Sequence, residues 1–296
     1  MKRYVSIDIG GTAIKYGVIS EDGQIQCRNV TDTEAHKGGP AILNKVQNIV
    51  GRFLQQEEVS GICISTAGVV DTQKGIIVHS APLIPDYIGT AYKQTLEEQF
   101  QIPCEVENDV NCAGLAEYYS GAAAGSRIAL MLTVGTGIGG SIVIDGEIFR
   151  GISGSACEVG YMNLAGGMFQ DLGAASVLTQ KVAAWKKEPN GLWDGYHIFE
   201  AARAGDAQCI RAIDEMVDVL GQGIANICYV MNPEVVVLGG GVMAQEELLK
   251  ERLECAVAKY LIPVIACHTR LAFAMHRNDA GMLGAFYHFR NSRGAV

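Results

Sequence analysis

Residues 4–12 read Tyr-Val-Ser-Ile-Asp-Ile-Gly-Gly-Thr, in which apolar side chains alternate with small or acidic ones until two glycines interrupt the run. The alternation predicts a half-buried strand, and the glycines predict a tight turn after Asp8. A second apolar run covers residues 14–19 and a third covers 24–30. The Asp22-Gly23 pair between these two runs is a strong hairpin signal. We therefore expect the chain to begin with three strands joined by tight turns.

The same pattern returns in the second half of the sequence. A strand is predicted over 128–134, then a glycine turn, a strand over 141–144, the Asp145-Gly146 turn and a strand over 147–150. Residues 17–25 align with 140–148, so that the two Asp-Gly turns coincide. This internal repeat predicts two copies of a strand-hairpin unit, each extended by α/β elements, facing each other across a cleft.

The rest of the chain alternates buried strands with amphipathic helices, which is typical of the α/β class. Apolar residues at Ile42, Val46, Ile49 and Phe53 lie on one face of a predicted helix. Further strands are predicted over 61–65, 103–107, 234–238 and 264–272, and further helices over 111–119, 173–187, 194–203, 206–231, 245–260 and 280–289.

Composition excludes several classes of protein. The 296 residues are 49% hydrophobic and 19% charged, which is typical of a soluble globular chain of one or two domains. Because 32 acidic residues outnumber 23 basic ones, we expect no nucleic-acid partner. The longest apolar runs fall short of the roughly 20 residues of a membrane span, and Met-Lys-Arg at the start lacks the apolar core of a signal peptide. We therefore expect no membrane partner and a cytoplasmic location.

The nine cysteines predict neither disulfides nor a structural zinc site. They are scattered, most lie in apolar runs, and the sequence contains no Cys-x-x-Cys pair. Buried, reduced thiols are the better interpretation. We expect no bound zinc.

The 36 glycines, roughly 12% of the chain against a usual ~7%, cluster in turns. The turn after Asp8 and the turn over 135–140 occupy matching places in the repeat, and their exposed backbone amides can hold phosphate oxygens. A tight hairpin would explain either turn alone. Together they predict two loops that hold one polyphosphate.

Two other nucleotide-binding patterns fit less well. Residues 135–140 satisfy Gly-x-Gly-x-x-Gly, but a dinucleotide fingerprint must open a helix, whereas residues 141–150 alternate as a strand and turn. No Gly-x-x-x-x-Gly-Lys-Ser/Thr occurs, which disfavours a Walker-type ATPase.

Six motifs, in order along nearly the whole chain, resemble the ROK family of sugar kinases. They are Asp8-x-Gly-Gly-Thr with Lys15, Glu107-Asn108-Asp109-x-Asn111, residues 135–140, Glu158-Val159-Gly160-Tyr161-Met162, Gly239-Gly240-Gly241 and Asn278-Asp279-Ala280-Gly281. The resemblance implies the duplicated two-lobe fold of actin-like ATPases, which is ribonuclease H-like. It also implies ATP-dependent phosphorylation of a sugar hydroxyl with Mg²⁺.

The resemblance further implies a role for each matching residue. Asp109 would be the general base, and Asp8 would hold Mg²⁺, through water. The remaining residues fall into sugar-binding and nucleotide-binding sets. The first set is Asn108, Glu158, Tyr161 and Gly68; the second is Asp8, Gly10, Gly11, Thr12, Lys15, Thr133, Gly135, Thr136, Gly137, Gly239, Gly240 and Gly241. A solvated turn with a helix cap is the plain alternative for residues 107–109.

The chain departs from the family pattern beside the sugar. Family members commonly carry Glu-x-Gly-His followed by a cysteine cluster that binds zinc, whereas this chain has Tyr161 at the histidine position and lacks the cluster. A later family glutamate falls on Leu172, and Asp171 is the nearest acid that could substitute. The zinc-free pattern, with Tyr287-His288-Phe289 near the end, is similar to bacterial β-glucoside kinases. The expected substrate is the 6-hydroxyl of a hexose or a cellobiose-like β-glucoside, with glucose or N-acetylmannosamine as alternatives.

Two non-kinase hypotheses belong to other classes of protein. ROK-type repressors carry an N-terminal DNA-binding segment, whereas the first strand here begins at Tyr4. A catalytically inactive sugar sensor would explain Tyr161 and the missing zinc loop, but not the retention of Asp8, Asp109 and both glycine turns.

The resemblance also predicts how the lobes divide. Residues 1–115 would form a small N-terminal lobe completed by a C-terminal helix over 280–296, and residues 116–279 would form the larger lobe. It implies a homodimer.

Overall fold

The computed structural model describes residues 1–189 and 191–294. The strands are β1 (Arg3–Ile9), β2 (Ala13–Ser20), β3 (Ile25–Asp32), β4 (Gly61–Thr66), β5 (Val69–Asp71), β6 (Ile76–His79), β7 (Cys104–Asn108), β8 (Ile128–Val134), β9 (Ile138–Ile144), β10 (Glu147–Ile148), β11 (Asn163–Leu164), β12 (Gly167–Met168), β13 (Val235–Gly239) and β14 (Arg270–Phe273).

The α-helices are α1 (Gly39–Leu54), α2 (Tyr92–Phe100), α3 (Asp109–Ser120), α4 (Phe169–Gly173), α5 (Ala175–Lys186), α6 (Gly195–Arg203), α7 (Ala207–Met231), α8 (Glu246–Tyr260), α9 (Pro263–Ala266) and α10 (Ala280–Ser292). Within the described ranges, none of these helices combines the length and apolar character needed to cross a membrane.

The chain divides into two compact units. The first unit contains Met1–Ser120, Gly146–Ala156 and the described residues from Asn278 onward. The second contains Gly121–Asp145 and Cys157–Arg277.

The first unit is built on a sheet with strand order β3-β2-β1-β4-β7. Strands β1, β2 and β3 form an antiparallel meander, whereas β1, β4 and β7 are parallel neighbours. Apolar residues of β1 and β4 are buried, as are those of α1 that the helical period placed on one face. Helix α10 packs against α3, and Gly284 allows this because a Cβ there would lie 1.8 Å from the carbonyl oxygen of Cys112.

The second unit repeats this plan. Its strands run in the order β9-β8-β13-β14, with β8 and β9 antiparallel and β8, β13 and β14 parallel. The long helix α7 packs on α8, and a Cβ at Gly221 would lie 2.7 Å from Ala256 of that helix. The Asp206 side chain caps the first turn of α7 by accepting from the amides of Gln208 and Cys209.

The two Asp-Gly turns differ in geometry despite their matching sequences. At the second turn both residues are left-handed, with φ of 49° at Asp145 and 87° at Gly146. At the first turn only Gly23 is left-handed, with φ of 83°, and the register of β2 against β3 shifts between Val18 and Ile19. The first turn is therefore a longer connection with a bulge.

One predicted strand is shorter than expected. The prediction of a strand over 264–272 is wrong in its first half, because Pro263 opens the short helix α9. Only Arg270–Phe273 pairs with β13. The sequence also gave no sign of the β5–β6 hairpin or of the β11–β12 pair, which are each two to four residues per strand.

Candidate active site

The carboxyl ends of three parallel strands meet at one edge of the first unit's sheet. Asp8 of β1 lies opposite Ser65 of β4, and Thr66 of β4 lies opposite Asn108 of β7. Polar side chains at the ends of neighbouring parallel strands form the usual ligand site of open α/β sheets. This edge therefore brings together Asp8 and Asp109, which the sequence had placed a hundred residues apart.

The Asp8 carboxylate is part-buried and held from two sides. Its Oδ1 accepts from the Ser65 hydroxyl at 2.7 Å, and the Lys15 ammonium lies 3.9 Å from Oδ2. Lys15 also donates to Asn278 Oδ1 at 3.3 Å. Burial raises the pKa of Asp8, whereas the Ser65 hydrogen bond and the Lys15 charge act in the opposite direction.

The first turn of α10 packs directly on this carboxylate. A Cβ placed on Gly281 would lie 2.3 Å from Asp8 Cγ, which is far inside van der Waals contact. The glycine of Asn278-Asp279-Ala280-Gly281 is therefore required by the Asp8 side chain. The position is also favourable for charge, because a helix N-terminus carries a partial positive charge.

Asp109 is the first residue of α3, and Asn108 organises the turn that precedes it. The Asn108 Oδ1 accepts from the amides of Val110 and Asn111 at 2.9 and 3.0 Å, as a helix cap does. Its Nδ2 donates to the carbonyl of Gly68 at 2.9 Å and to Asp109 Oδ1 at 3.0 Å. Both amide hydrogens of Asn108 therefore form hydrogen bonds within the protein, and the side chain fixes the orientation of Asp109.

Gly68 has a left-handed backbone with φ of 94°, and a Cβ there would lie 2.6 Å from the His79 carbonyl oxygen. Glycine is needed at this position so that the loop after β4 can reach Asn108.

The Asp109 carboxyl group has an unusual affinity for a proton. Burial, and next the negative charge of Asp8, raise the pKa of Asp109 to about 7, although hydrogen bonds from the amides of Val110 and Asp109 and from Asn108 oppose the rise. A carboxyl group with a pKa near neutral pH suits general-base chemistry, since it is available as a base and still binds a proton well.

Two acids in one part-buried place leave an excess of negative charge that a cation could offset. The Lys15 ammonium stands 3.9 Å from Asp8, too far for a hydrogen bond, so Asp8 fits a Mg²⁺ ion, which takes few carboxylates and retains several waters. Over residues 1–189 and 191–294, no group of three or more His, Cys, Asp and Glu side chains forms a metal-binding cluster.

The predicted phosphate-binding residues of the first unit lie in the turn between β1 and β2. Gly10 is held by hydrogen bonds to Ala13 and Thr33, whereas Gly11 and Thr12 are exposed. A Cβ at Gly11 would meet no atom within 4 Å, and its φ is not left-handed. The fold therefore does not require glycine at this position.

The predicted nucleotide-binding residues of the second unit lie at the carboxyl ends of β8 and β13. Gly239 lies opposite Thr133 in the parallel ladder, so the turns 135–137 and 239–241 are neighbours. The Ser176 hydroxyl donates to the carbonyl of Thr136 at 2.6 Å and holds the first of these turns. Gly240 is left-handed and pressed against Val134, whereas Gly135 and Gly241 have open space where a Cβ would stand.

Glu158 precedes a short helical turn of the second unit, Val159–Tyr161, which ends at Tyr161. Tyr161 is 58% exposed, and its amide donates to the Glu158 carbonyl at 3.2 Å. Gly160 between them packs on β9, where a Cβ would lie 2.4 Å from the Ile138 carbonyl oxygen.

Three residues of these surroundings were missed by the sequence analysis. Ser65 donates to Asp8, Ser176 supports the turn 135–137, and the Gln170 side chain lies where Cβ atoms on Gly137 and Gly160 would be. Ser65 ends a strand that was predicted, and its register opposite Asp8 could have suggested it. For Gln170 the sequence offers no such signal.

The family model that describes the ROK family matches residues 4–292, and the chain belongs to this family. The resemblance drawn from the motifs is thereby confirmed. The chain is a sugar kinase of the ROK family.

Relatives of known sequence extend over nearly the full chain. An uncharacterized protein of Clostridium perfringens is 47% identical, with 99% of each chain covered. The β-glucoside kinase of Klebsiella pneumoniae is 33% identical over 97% of this chain and 96% of its own. The glucokinase of Halalkalibacterium halodurans is 29% identical over 95% and 93%.

Solved structures show the fold. A Listeria monocytogenes protein described as a putative N-acetylmannosamine kinase superimposes with a TM-score of 0.88 at 30% identity, covering 98% of this chain and 99% of its own. A ROK family protein of Streptococcus pneumoniae in complex with sucrose gives a TM-score of 0.87 at 28% identity, covering 99% and 100%. The expected fold class is confirmed: the chain has the actin-like ATPase fold of ROK kinases. These kinases use ATP with a divalent metal ion.

Proposed function

We propose that this chain transfers the γ-phosphoryl group of ATP to the 6-hydroxyl of a β-glucoside, with Asp109 as the general base. The observation that carries the base assignment is the Asp109 carboxyl group itself, fixed by Asn108 at the start of α3 with its pKa raised to about 7. If residues 107–109 were only a solvated turn with a helix cap, nothing would explain why the Asp109 carboxylate is held away from water and close to the charge of Asp8.

The proton path follows from the two oxygens of Asp109. Its Oδ1 accepts from Asn108 Nδ2 and the Val110 amide, so we assign proton acceptance to Oδ2. The sugar 6-oxygen gives its proton to this oxygen while it bonds to the γ-phosphorus, and the bond from that phosphorus to the β,γ-bridging oxygen breaks. Because phosphoryl transfer depends mainly on positioning and charge, the rigid turn contributes as much as the basicity.

The remaining charged groups neutralise phosphate. Lys15 points its ammonium toward Asp8 and Asn278, and we propose that it contacts phosphate oxygens together with the backbone of Gly10, Gly11 and Thr12. Asp8 would hold the divalent cation, whose charge stabilises the phosphoryl oxygens in the transition state. In the second unit we assign nucleotide binding to residues 133–137 and 239–241.

The preference for a β-glucoside rests on Tyr161. A tyrosine stands where family members carry a sugar-binding histidine, and its ring is 58% exposed. An exposed aromatic face suits stacking on a second sugar or an aryl group better than holding a free anomeric hydroxyl. The β-glucoside kinase among the relatives supports this choice. A structural neighbour in complex with sucrose supports a disaccharide-sized substrate, although its glucosyl linkage is α.

A substrate panel tests the proposal. Purified protein with ATP and Mg²⁺ is assayed by ADP release on cellobiose, gentiobiose, glucose and N-acetylmannosamine, and product position is determined by NMR. We expect kcat/KM to be highest for a β-linked disaccharide, with the phosphate on the 6-oxygen. Preference for glucose or N-acetylmannosamine would instead establish the alternatives that the glucokinase relative and the Listeria neighbour suggest.

A tyrosine variant provides the matched control for the panel. Tyr161→Ala should lower kcat/KM for the disaccharide by about fivefold, since one stacked aromatic ring contributes about 1 kcal/mol, and should leave kcat/KM for glucose nearly unchanged. An equal effect on both sugars would remove Tyr161 from the specificity argument.

The homodimer that the family resemblance implies stays a prediction, which light scattering of the same preparation checks.

A further inference from the structure

Glu107, two residues before the proposed base, is a carboxylate buried to 1% exposure. Its Oε1 accepts from the amide of Asn108 at 2.7 Å and from Asn111 Nδ2 at 3.0 Å. One oxygen therefore binds both the peptide that precedes Asp109 and the first turn of the helix that carries it. A shift of Glu107 would move the start of α3.

The other oxygen of Glu107 is held by two residues from distant parts of the sequence. Arg150 Nη2 donates to Oε2 at 2.6 Å, and His288 Nδ1 lies 3.8 Å from the same atom. Arg150 Nη2 also lies 3.4 Å from His288 Nδ1. Since an arginine can only donate, this contact requires Nδ1 to be the unprotonated nitrogen and places the imidazole hydrogen on Nε2.

The charges around the network agree with an ionised Glu107 and a neutral His288. Burial alone would raise the pKa of Glu107, but the charge of a protonated His288, the charge of Arg150 and the hydrogen bonds from Asn111 and Asn108 hold it below the ordinary value. Arg150 and these hydrogen bonds still act when His288 is neutral. Burial lowers the pKa of His288 despite the carboxylates of Glu107 and Glu105, and Arg150 and Lys93 lower it further. The network therefore consists of the Glu107–Arg150 ion pair and a neutral His288 beside it, whose Nδ1 accepts from Arg150.

This arrangement is poorly suited to a purely stabilising role. Within residues 1–189 and 191–294, Arg150 Nε and His288 Nε2 are buried without a hydrogen-bond partner. Both residues line a cavity of about 120 Å³. Buried ion pairs are weak evidence for stability, and buried donors without acceptors act against it. Such exceptions in a folded protein call for an explanation, and a role in catalysis is one.

We propose that Glu107 is a positioning residue for Asp109, and that Arg150 and His288 lock its carboxylate in place. The proposal rests on Asp109 being the general base. Glu107 does not touch substrate; it fixes the Asn108 peptide and the first turn of α3, so that Asp109 Oδ2 meets the acceptor hydroxyl. A misplacement of about 1 Å lowers an enzymatic rate by about a hundredfold.

The neighbouring Glu105 offers a matched control on the same strand. It is buried to 4% exposure and pairs with Lys93 at 2.8 Å and with Arg293 at 2.7 Å. Among the described residues, the hydrogen-bond and ion-pair partners of its side chain do not include the turn that carries Asp109. Glu105→Gln therefore removes a comparable buried carboxylate from β7 without loosening that turn.

The experiment compares kcat, KM, pH–rate profile and Tm of Glu107→Gln with Glu105→Gln. We expect Glu107→Gln to lower kcat by about 10- to 100-fold, with both KM values within about threefold and the acidic limb of the profile unmoved, because the charge of Glu107 does not set the pKa of Asp109. Glu105→Gln should lower Tm at least as much and change kcat by less than about twofold. Equal kcat losses in both variants, or an unchanged kcat in Glu107→Gln, would overturn the proposal.

Two variants of His288 test the proposal if Glu107→Gln does not fold. His288→Asn retains an acceptor for Arg150, and His288→Leu removes it; we expect kcat to be at least about fivefold higher in the asparagine variant at similar Tm. Equal rates in the two would contradict the locking role. Asp109→Asn separates this result from the proposed function: a retained rate there removes the base assignment itself, whereas its loss together with a normal Glu107→Gln rate refutes only the positioning.

Discussion

Replacing Asp109 by asparagine should stabilise the protein at alkaline pH while it abolishes the reaction. The pKa of Asp109 is about 7 in the fold against 3.8 for a free aspartate. The folded state therefore binds this proton more tightly than the unfolded state does. Above pH 7 the ionised carboxylate is less favourable in the folded protein than in the unfolded one, and below about pH 4 both states are protonated and the difference vanishes. Asparagine keeps the shape and the Oδ1 acceptor without the charge.

The size of this effect follows from the pKa difference. Three pH units at about 1.4 kcal/mol each give an upper bound of about 4 kcal/mol, and since Asp109 is only part-buried we expect about 1–2 kcal/mol at pH 8. At about 2–4 °C per kcal/mol, Tm of Asp109→Asn should exceed that of the wild type by roughly 2–8 °C at pH 8. The gain should fall steadily between pH 7 and pH 4, and kcat should drop by about 10²- to 10⁴-fold.

The assay is thermal unfolding at half-unit steps from pH 4 to pH 8, with ADP release measured alongside. Asp206→Asn is the control of opposite sign, because the Lys186 hydrogen bond and the helix-cap bond from the Cys209 amide lower the pKa of Asp206 to about 2. That variant should be less stable than the wild type at neutral pH and approach it as pH falls toward 2. A Tm difference for Asp109→Asn that is negative at pH 8 or independent of pH would refute the charge argument.

Four further substitutions probe the same edge and the glycine turn 239–241. Asp8→Asn removes the charge that, after burial, most raises the pKa of Asp109, so the acidic limb of the kcat profile should move to lower pH; a limb that stays in place contradicts the coupling. Gly281→Ala drives a Cβ to within 2.3 Å of Asp8 Cγ and should lower kcat by about 10- to 100-fold; an unchanged rate would show that the carboxylate can move freely. Gly240→Ala should destabilise by about 1–3 kcal/mol because φ is 103° and Val134 blocks the Cβ, whereas Gly241→Ala should leave Tm unchanged and raise KM for ATP. Similar Tm losses in both glycine variants would refute this distinction.

Local signals predicted most of the regular elements, because helices and strands begin and end at residues whose own conformational preferences or hydrogen bonds favour an end there. Asp206 and Asn232-Pro233 delimit α7, and the structure places its ends at Ala207 and Met231. The strand expected over 264–272 failed because apolar content alone cannot separate a strand from a short helix. There Pro263, a favourable first helical residue, outweighed the β-branched residues that follow it.

The candidate site was predictable only where its residues stand at the ends of predicted strands. Asp8 and Asp109 do so, and parallel pairing then brings them to one edge. Glu107, Arg150 and His288 do not form a sequence pattern, since the arginine and the histidine come from segments 43 and 181 residues away from Glu107. Their meeting depends on how α10 and the segment Gly146–Ala156 fold against β7, which no local signal encodes.

The glycines look alike in the sequence, but the structure separates them into two kinds. Gly240 and Gly281 are required by the protein itself, since a Cβ on either would strike Val134 or Asp8. At Gly11, Gly135 and Gly241 a Cβ would meet nothing within 4 Å, and φ is not left-handed. Glycine in such places loses conformational entropy on folding without gaining any packing. Its presence is explained if a molecule outside the chain must approach the backbone there, and the open glycines therefore support the proposed phosphate-binding positions more directly than the crowded ones do.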